Sequence, residues 1–150
     1  MRSKSQSTRL GKGGQVQKTL DFFRENDQYA KHSGIELLEV KAGWARVKMT
    51  IQPFHLNGAR TVHGGALFTL ADYAFAAAAN SRGRLALAIN ISMSFVKAAY
   101  DGVLYGEAEE LSLNHHLGTY QVKIVNDKQQ LIALFNGTAY RKNEPLIGDE

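Results

Sequence analysis

The stretch from His63 to Asn80 constrains this chain more than any other. Between Ala66 and Ala79 every residue except Thr69 and Asp72 is apolar. The pattern predicts a long helix that is apolar nearly all round, and such a helix is buried rather than half exposed. The apolar run is too short and too interrupted to span a bilayer. Asp72 is its single charge. A carboxylate in an apolar helix must find partners, shift its pKa or serve a function. Phe68, Thr69, Phe75 and Ala76 stand one turn away from it, so its own helix supplies no cation. Gly64 and Gly65 open the helix and leave its first N–H groups uncrowded. Those groups lack intrahelical partners and carry the positive end of the helix dipole. One element thus offers a carbonyl- or anion-binding end and a lone buried acid.

Composition narrows the rest. A chain of 150 residues, 44% hydrophobic and 21% charged, fits one globular domain with a real core. The absence of cysteine excludes disulfides, thiolate metal sites and a Cys nucleophile. His55, His63, His115 and His116 have no ligand spacing that would suggest a metal. The net charge of +4 resides at the N-terminus. Arg2, Lys4, Arg9, Lys12 and Lys18 account for five basic residues, and the remainder holds 13 basic against 14 acidic ones. Five charges without aromatics or a groove-filling helix are a weak nucleic-acid signal. Residues 1–14 are expected to be a disordered basic tail, 15–142 the folded domain, and 143–150 a loose C-terminal tail. No apolar leader segment is visible, and the default expectation is a cytoplasmic protein that engages neither nucleic acid nor membrane.

Along the chain, Val16 to Lys31 predicts a helix with Leu20, Phe23 and Tyr29 on its apolar stripe. A hairpin follows, with strands from Ile35 to Val40 and from Trp44 to Ile51. The second alternates cleanly, Ala45, Val47, Met49 and Ile51 against Trp44, Arg46, Lys48 and Thr50. Gln52 to Val62 is a loop. After the central helix four strands are expected, Leu85–Lys97, Val103–Leu113, Thr119–Asn126 and Leu131–Arg141, joined as an antiparallel meander. On the first of them Leu87, Ile89, Ile91, Met93 and Phe95 share a face opposite Ala88, Asn90, Ser92 and Ser94. The economical solution is an α+β fold in which a curved antiparallel sheet wraps around the helix at about 63–80.

That architecture, together with His63-Gly64-Gly65, Leu70-Ala71-Asp72 and the Asn57 six residues before the histidine, resembles the hotdog-fold acyl-CoA thioesterases. The match is to the phenylacetate-pathway (PaaI-type) branch. It extends through Leu56-Asn57-Gly58, Asn80-Ser81-Arg82-Gly83, Phe95-Val96-Lys97 and Ile124-Val125-Asn126. The resemblance implies that Asp72 is the catalytic carboxylate, as nucleophile or as general base on water. It implies that the Gly64 N–H binds the thioester oxygen, that Asn57 positions the carbonyl or the water, and that His63 supports this geometry. On the substrate side it points to Gly65, to a polar residue on the first long strand (Asn90 or Ser92), and to Lys97, where the family often has Arg-Pro and this chain has Lys-Ala. It implies an acyl-CoA substrate, aryl-acyl or medium-chain, no cofactor, and an obligate homodimer assembled as a dimer of dimers. Phe68, Tyr73 and Phe75 are candidates for the acyl pocket or for core. The rival readings are a hotdog acyl-CoA hydratase or dehydratase, and a non-enzymatic acyl-CoA-binding regulator.

Helix geometry adds a point that is independent of the family. Gly64 and Asp72 are eight residues apart, or ~12 Å along a helix axis. A single thioester carbonyl cannot meet both within one helix, since attack requires about 3.5 Å. If both serve one site, two antiparallel copies of the helix about a two-fold axis must supply them.

Overall fold

The computed structural model describes residues 11–148. Helices α1 (Lys12–Asn26) and α2 (Gln28–His32) precede the hairpin β1 (Ile35–Lys41) and β2 (Trp44–Thr50). A 3₁₀ turn, Pro53–His55, leads to the central helix α3 (Gly64–Ala79). Strands β3 (Arg84–Phe95), β4 (Val103–Leu113), β5 (Leu117–Asn126) and β6 (Leu131–Pro145) complete the fold. All six strands form one antiparallel sheet around α3, which is the expected hotdog arrangement. The alternation seen in β2 is real, since Ala45, Val47 and Met49 are fully buried. Gly137 lets α3 come close to the sheet, because a Cβ there would lie 2.9 Å from the Phe75 ring.

The termini differ from expectation. Helix α1 begins at Lys12, inside the segment expected to be tail, and residues 1–10 of that segment lie outside the described residues. It ends at Asn26, and Asp27 starts a separate short helix by accepting the Ala30 N–H at 3.0 Å. Tyr29 therefore leaves the apolar stripe and stands 68% exposed. At the other end β6 runs to Pro145, paired with Arg84, where a loose tail was expected.

The sheet order is β1-β2-β4-β5-β6-β3, so the meander holds only for β4, β5 and β6. Helix α3 delivers the chain to the far edge, where β3 pairs with β6 instead of β4. Asn80 fixes that delivery. Its Oδ1 accepts the Ala86 N–H at 2.8 Å, and its Nδ2 donates to Ala86 O and Ala76 O. The return connection, 96–102, is held by bonds from Val62 N to Ala99 O and from Ile51 N to Gly102 O.

β3 also departs from simple alternation. Its register with β6 slips between Ala88 and Asn90. The extra residue of this bulge reverses the facing of the strand. Ile91 and Met93 pack on the core, whereas Leu87 and Ile89 stand 54% and 60% exposed. The two sheet edges contrast. β1 carries Glu36, Glu39 and Lys41, and Arg24 of α1 takes its Leu37 and Leu38 carbonyls. β3 carries no charge from Leu85 to Phe95.

Candidate active site

Helix α3 starts where it does because of His63. That residue is extended (φ −59°, ψ 136°), and its Nδ1 accepts the Gly65 N–H at 2.8 Å. The bond consumes one orphan donor of the first turn and leaves the proton of a neutral ring on Nε2. Gly65 leaves room for the ring, since a Cβ there would lie 3.0 Å from Nδ1. Thr69 Oγ1 donates back to Gly65 O at 2.8 Å. The Gly64 N–H, by contrast, meets no acceptor among the described residues. It carries the dipole of a 16-residue helix behind it.

Gly64 lines a cavity of about 330 Å³ together with Asn57, Phe95 and Lys97. Three of the expected site residues thus come together. The Asn57 amide, however, chiefly organises its own loop. Its Oδ1 accepts from Ala59 N and Thr61 N, and its Nδ2 donates to Thr61 Oγ1 at 2.9 Å. This is the turn chemistry of an Asx residue, and it leaves one Nδ2 proton uncommitted. Asn90 and Ser92 do not join the group. Beyond the bulge they point away from the face on which Ile91 and Met93 pack, and both are exposed. Strand alternation therefore removes them from the Gly64 cavity of the same chain.

His63 and Gly65 face a second, larger cavity of about 610 Å³ on the other side of the helix start. It lies between α2, the 3₁₀ turn and α3, with the Tyr29 and Phe54 rings as walls. His55, buried at 3% exposure, is structural. Its Nδ1 accepts from Gln52 N, and Nε2 lies 2.6 Å from Ser33 O.

Asp72 lies two turns into α3 on the stripe of Gly65, Thr69 and Ala76. Against the expectation of burial all round, this stripe is only partly covered, and Phe68 beside it is 38% exposed. The sheet wraps one side of the helix, and no other element among the described residues closes the stripe. The Asp72 carboxylate has no hydrogen-bond or ion-pair partner among the described residues. Burial pushes its pKa above the ordinary carboxylate range, and the charge of Asp27 adds to the shift. Such a carboxylate is a stronger base than a solvated one. Tyr73, next to it, belongs to the core at 4% exposure, and its hydroxyl donates to Phe23 O at 3.0 Å. Phe75 is core as well. No group of three potential metal ligands occurs among the described residues, and none of their helices is long and apolar enough to cross a membrane.

Phe95 and the Tyr29–Phe54 cavity are the parts of the site that residue patterns did not reveal. A Cβ on Gly64 would lie 3.2 Å from the Phe95 ring, so the glycine makes room for that ring. The motif Phe95-Val96-Lys97 was the available signal. The cavity depends on α2 turning away from α1 at Asp27, which periodicity does not encode.

Comparison with known proteins identifies the family. Residues 59–133 match the family model of the thioesterase superfamily. A relative from Archaeoglobus fulgidus is 44% identical over 134 residues, covering 89% of this chain and 87% of its own. The acyl-coenzyme A thioesterase PaaI of Escherichia coli is 38% identical over 126 residues, covering 83% of this chain and 90% of its own. The solved structure of the E. coli PaaI protein superposes with a TM-score of 0.86 at 34% identity, over 90% of this chain and 99% of that one. The TT0310 protein of Thermus thermophilus gives 0.75 at 36% identity, over 78% and 99%. With the hotdog architecture, the glycine-opened central helix and these likenesses taken together, this chain belongs to the thioesterase superfamily, in its PaaI-type branch.

Proposed function

We infer that this chain is an acyl-CoA thioesterase whose active site is built by two copies of the chain. The observation that carries the reading is the pairing, on one helix, of a free Gly64 N–H and an unpartnered Asp72 carboxylate. Each lacks what the other can serve, and ~12 Å of helix separates them. A second copy with its α3 antiparallel brings Gly64 of one chain to Asp72 of the other. The half-open stripe along α3 and the uncharged outer edge of β3 support an assembly of this kind, since unpaired edges in monomers are blunted by charge or cover. Two sites per dimer follow, and dimers pair further into a dimer of dimers.

In this reading the thioester oxygen lies on the Gly64 N–H, and the helix dipole stabilises the negative charge that develops there. Asp72 of the opposing chain drives addition to the carbonyl carbon. As general base it takes a proton from water, whose oxygen forms the new C–O bond. As nucleophile it first forms an acyl-aspartyl anhydride that water then opens. In both routes the C–S bond breaks, CoA leaves as the thiolate and is protonated, and the free acid is the other product. Solvent ¹⁸O enters the Asp72 carboxylate only by the covalent route with water attacking the aspartyl carbon. Lys97 offers its ammonium to the CoA arm, and His63 holds the helix start in place. Asn57 shapes the loop beside the carbonyl, and Gly65 allows the His63 ring to sit there.

An aryl-acyl arm such as phenylacetyl fits the aromatic surroundings and the likeness to a protein from the phenylacetic acid degradation operon. A medium-chain arm is the second candidate. Release of free thiol from a panel of CoA thioesters tests the reading. Turnover of an acyl-CoA that is lost in Asp72→Asn is expected. A protein that hydrates 2-enoyl-CoA, or binds CoA esters without cleaving any, refutes it.

A further inference from the structure

Two half-buried carboxylates stand on adjoining elements, and neither has an ion-pair partner among the described residues. One is Asp72 of α3. The other is Asp27, at the bend between α1 and α2. Its place is fixed twice. Its Oδ1 accepts the Ala30 N–H at 3.0 Å, and its own N–H donates to Phe23 O at 3.1 Å. The same Phe23 carbonyl accepts the Tyr73 hydroxyl at 3.0 Å, and the Phe23 and Tyr73 rings meet edge to face at 6.3 Å. Tyr73 is the residue after Asp72. One buried carbonyl thus ties the bend that carries Asp27 to the turn of α3 that carries Asp72.

The other titratable groups around Asp72 are engaged or lie elsewhere. Arg24 of α1 spends its guanidinium on the Leu37 and Leu38 carbonyls of β1. Lys31 of α2 donates to Glu25 O at 3.0 Å. Burial pushes the Tyr73 hydroxyl up to about 12, so it carries no charge at neutral pH. His32, His55 and His63 line the cavity nearer the helix start. The strands meet α3 with apolar side chains such as Val47, Met49 and Leu104. The second copy adds one more influence. The start of its α3 faces Asp72, and the dipole that the thioester oxygen needs there also favours an ionised carboxylate, which makes Asp72 a weaker base. A fixed like charge acts in the opposite direction.

We propose that Asp27 is a positioning residue of the catalytic centre, a fixed negative charge beside the Asp72–Tyr73 turn that keeps Asp72 a strong base against the pull of the opposing helix start. The proposal rests on the two-chain thioesterase reading and deepens it. Asp27 touches neither substrate nor reacting atoms and acts only through Asp72. The N-cap of α2 and the bond to Phe23 O hold its charge in place, so no reorganisation is needed when Asp72 reacts.

The test follows the Asp72 carboxyl carbon by NMR across pH in the unaltered, Asp27→Asn and Asp27→Ser proteins, beside the pH profile of kcat for a thioester that the protein cleaves. Asn and Ser cap helices as Asp does, so α2 keeps its start and the charge alone is lost. The Asp72 midpoint and the acid limb of kcat should both move to lower pH in both variants, with KM little changed and plateau kcat lowered severalfold, as a weaker base takes a proton less readily. A residue that merely capped α2 would leave midpoint and limb in place. An Asp72 midpoint unmoved in the folded variants, or a midpoint that moves while the acid limb does not, overturns the proposal. If neither variant folds, the unaltered protein decides. Added salt screens Asp27 and should carry the Asp72 midpoint downward, and a midpoint that stays or rises overturns the proposal. A protein that cleaves no thioester refutes the thioesterase reading and the catalytic role of Asp27 with it, whereas an unmoved midpoint in an active protein refutes the role of Asp27 alone.

Discussion

Mixing two inactive proteins should restore activity. The partners are Asp72→Asn and Gly64→Pro. The second is a mild lesion at this position for reasons visible in the structure. Proline is favoured at the first residue of a helix, where the missing N–H breaks no helical bond. The preceding His63, at ψ 136°, already has the extended backbone that a following proline demands. The atoms nearest to the added Cβ are those of the Phe95 ring, the closest at 3.2 Å, and Phe95 is 59% exposed. What is lost is the oxyanion donor, and loss of one such donor typically costs about a hundredfold to a thousandfold in turnover. In a mixed dimer one site receives both lesions and the other receives neither. With free subunit exchange at equal concentrations about half of the dimers are mixed, each with one intact site, so activity should recover to about a quarter of that of the unaltered protein. Thiol release from the substrate found in the panel measures the recovery, and native mass spectrometry counts the mixed dimers. Prior circular dichroism and exchange measurements establish that both variants fold and swap subunits. Mixed dimers that form and stay as dead as their parents refute the two-chain site.

Three other outcomes follow from the same geometry. Folded Asp72 holds its proton more tightly than unfolded Asp72, so folding takes up a proton between the two pKa values, and stability falls as pH rises through that window. Asp72→Asn should therefore raise the melting temperature at neutral pH, with the gain vanishing below the ordinary carboxylate range, and the acid limb of kcat in the unaltered protein should lie above that range. A melting point unchanged at every pH would show that Asp72 carries no such penalty. His63→Ala removes one capping bond and should cost about 1 kcal/mol as read by urea unfolding, whereas Gly65→Ala added to it should cost nothing further, since the ring it crowds is gone. Lys97→Ala should raise KM for CoA thioesters severalfold with kcat little changed, and the difference should shrink in high salt; insensitivity to salt would remove Lys97 from the CoA arm.

Much of the fold was legible because single residues repeat a single demand. Ala45, Val47 and Met49 alternate in the sequence and are all fully buried. The run from Ala66 to Ala79 announces a helix at the centre. What escaped reading depends on one residue changing the count, or on contacts far apart in the chain. One extra residue between Ala88 and Asn90 turns a uniform face into two opposite ones. The place of β3 beside β6 is set by Asn80 bonding across the helix end to Ala86, a side-chain event that no periodicity records. In the site, Gly64, Asn57 and Lys97 were nominated by the family resemblance and do share a cavity. Asn90 and Ser92 were nominated by region, and the pleat turns them away. The half-open stripe on α3 was invisible because hydropathy describes what a helix wants to cover, not how much covering one chain can provide.

The unequal edges of the sheet set how far it can grow. A β-sheet with two open edges adds neighbours without limit, which is the geometry of a fibre. Here Arg24 and the charges of β1 stop one side, while β3 offers the other. Two copies joined through β3 about a two-fold axis would present a stopped edge at each end. In such a pair the sequence that lets a second strand dock would also keep a third copy from following it, and growth of the sheet would end at two.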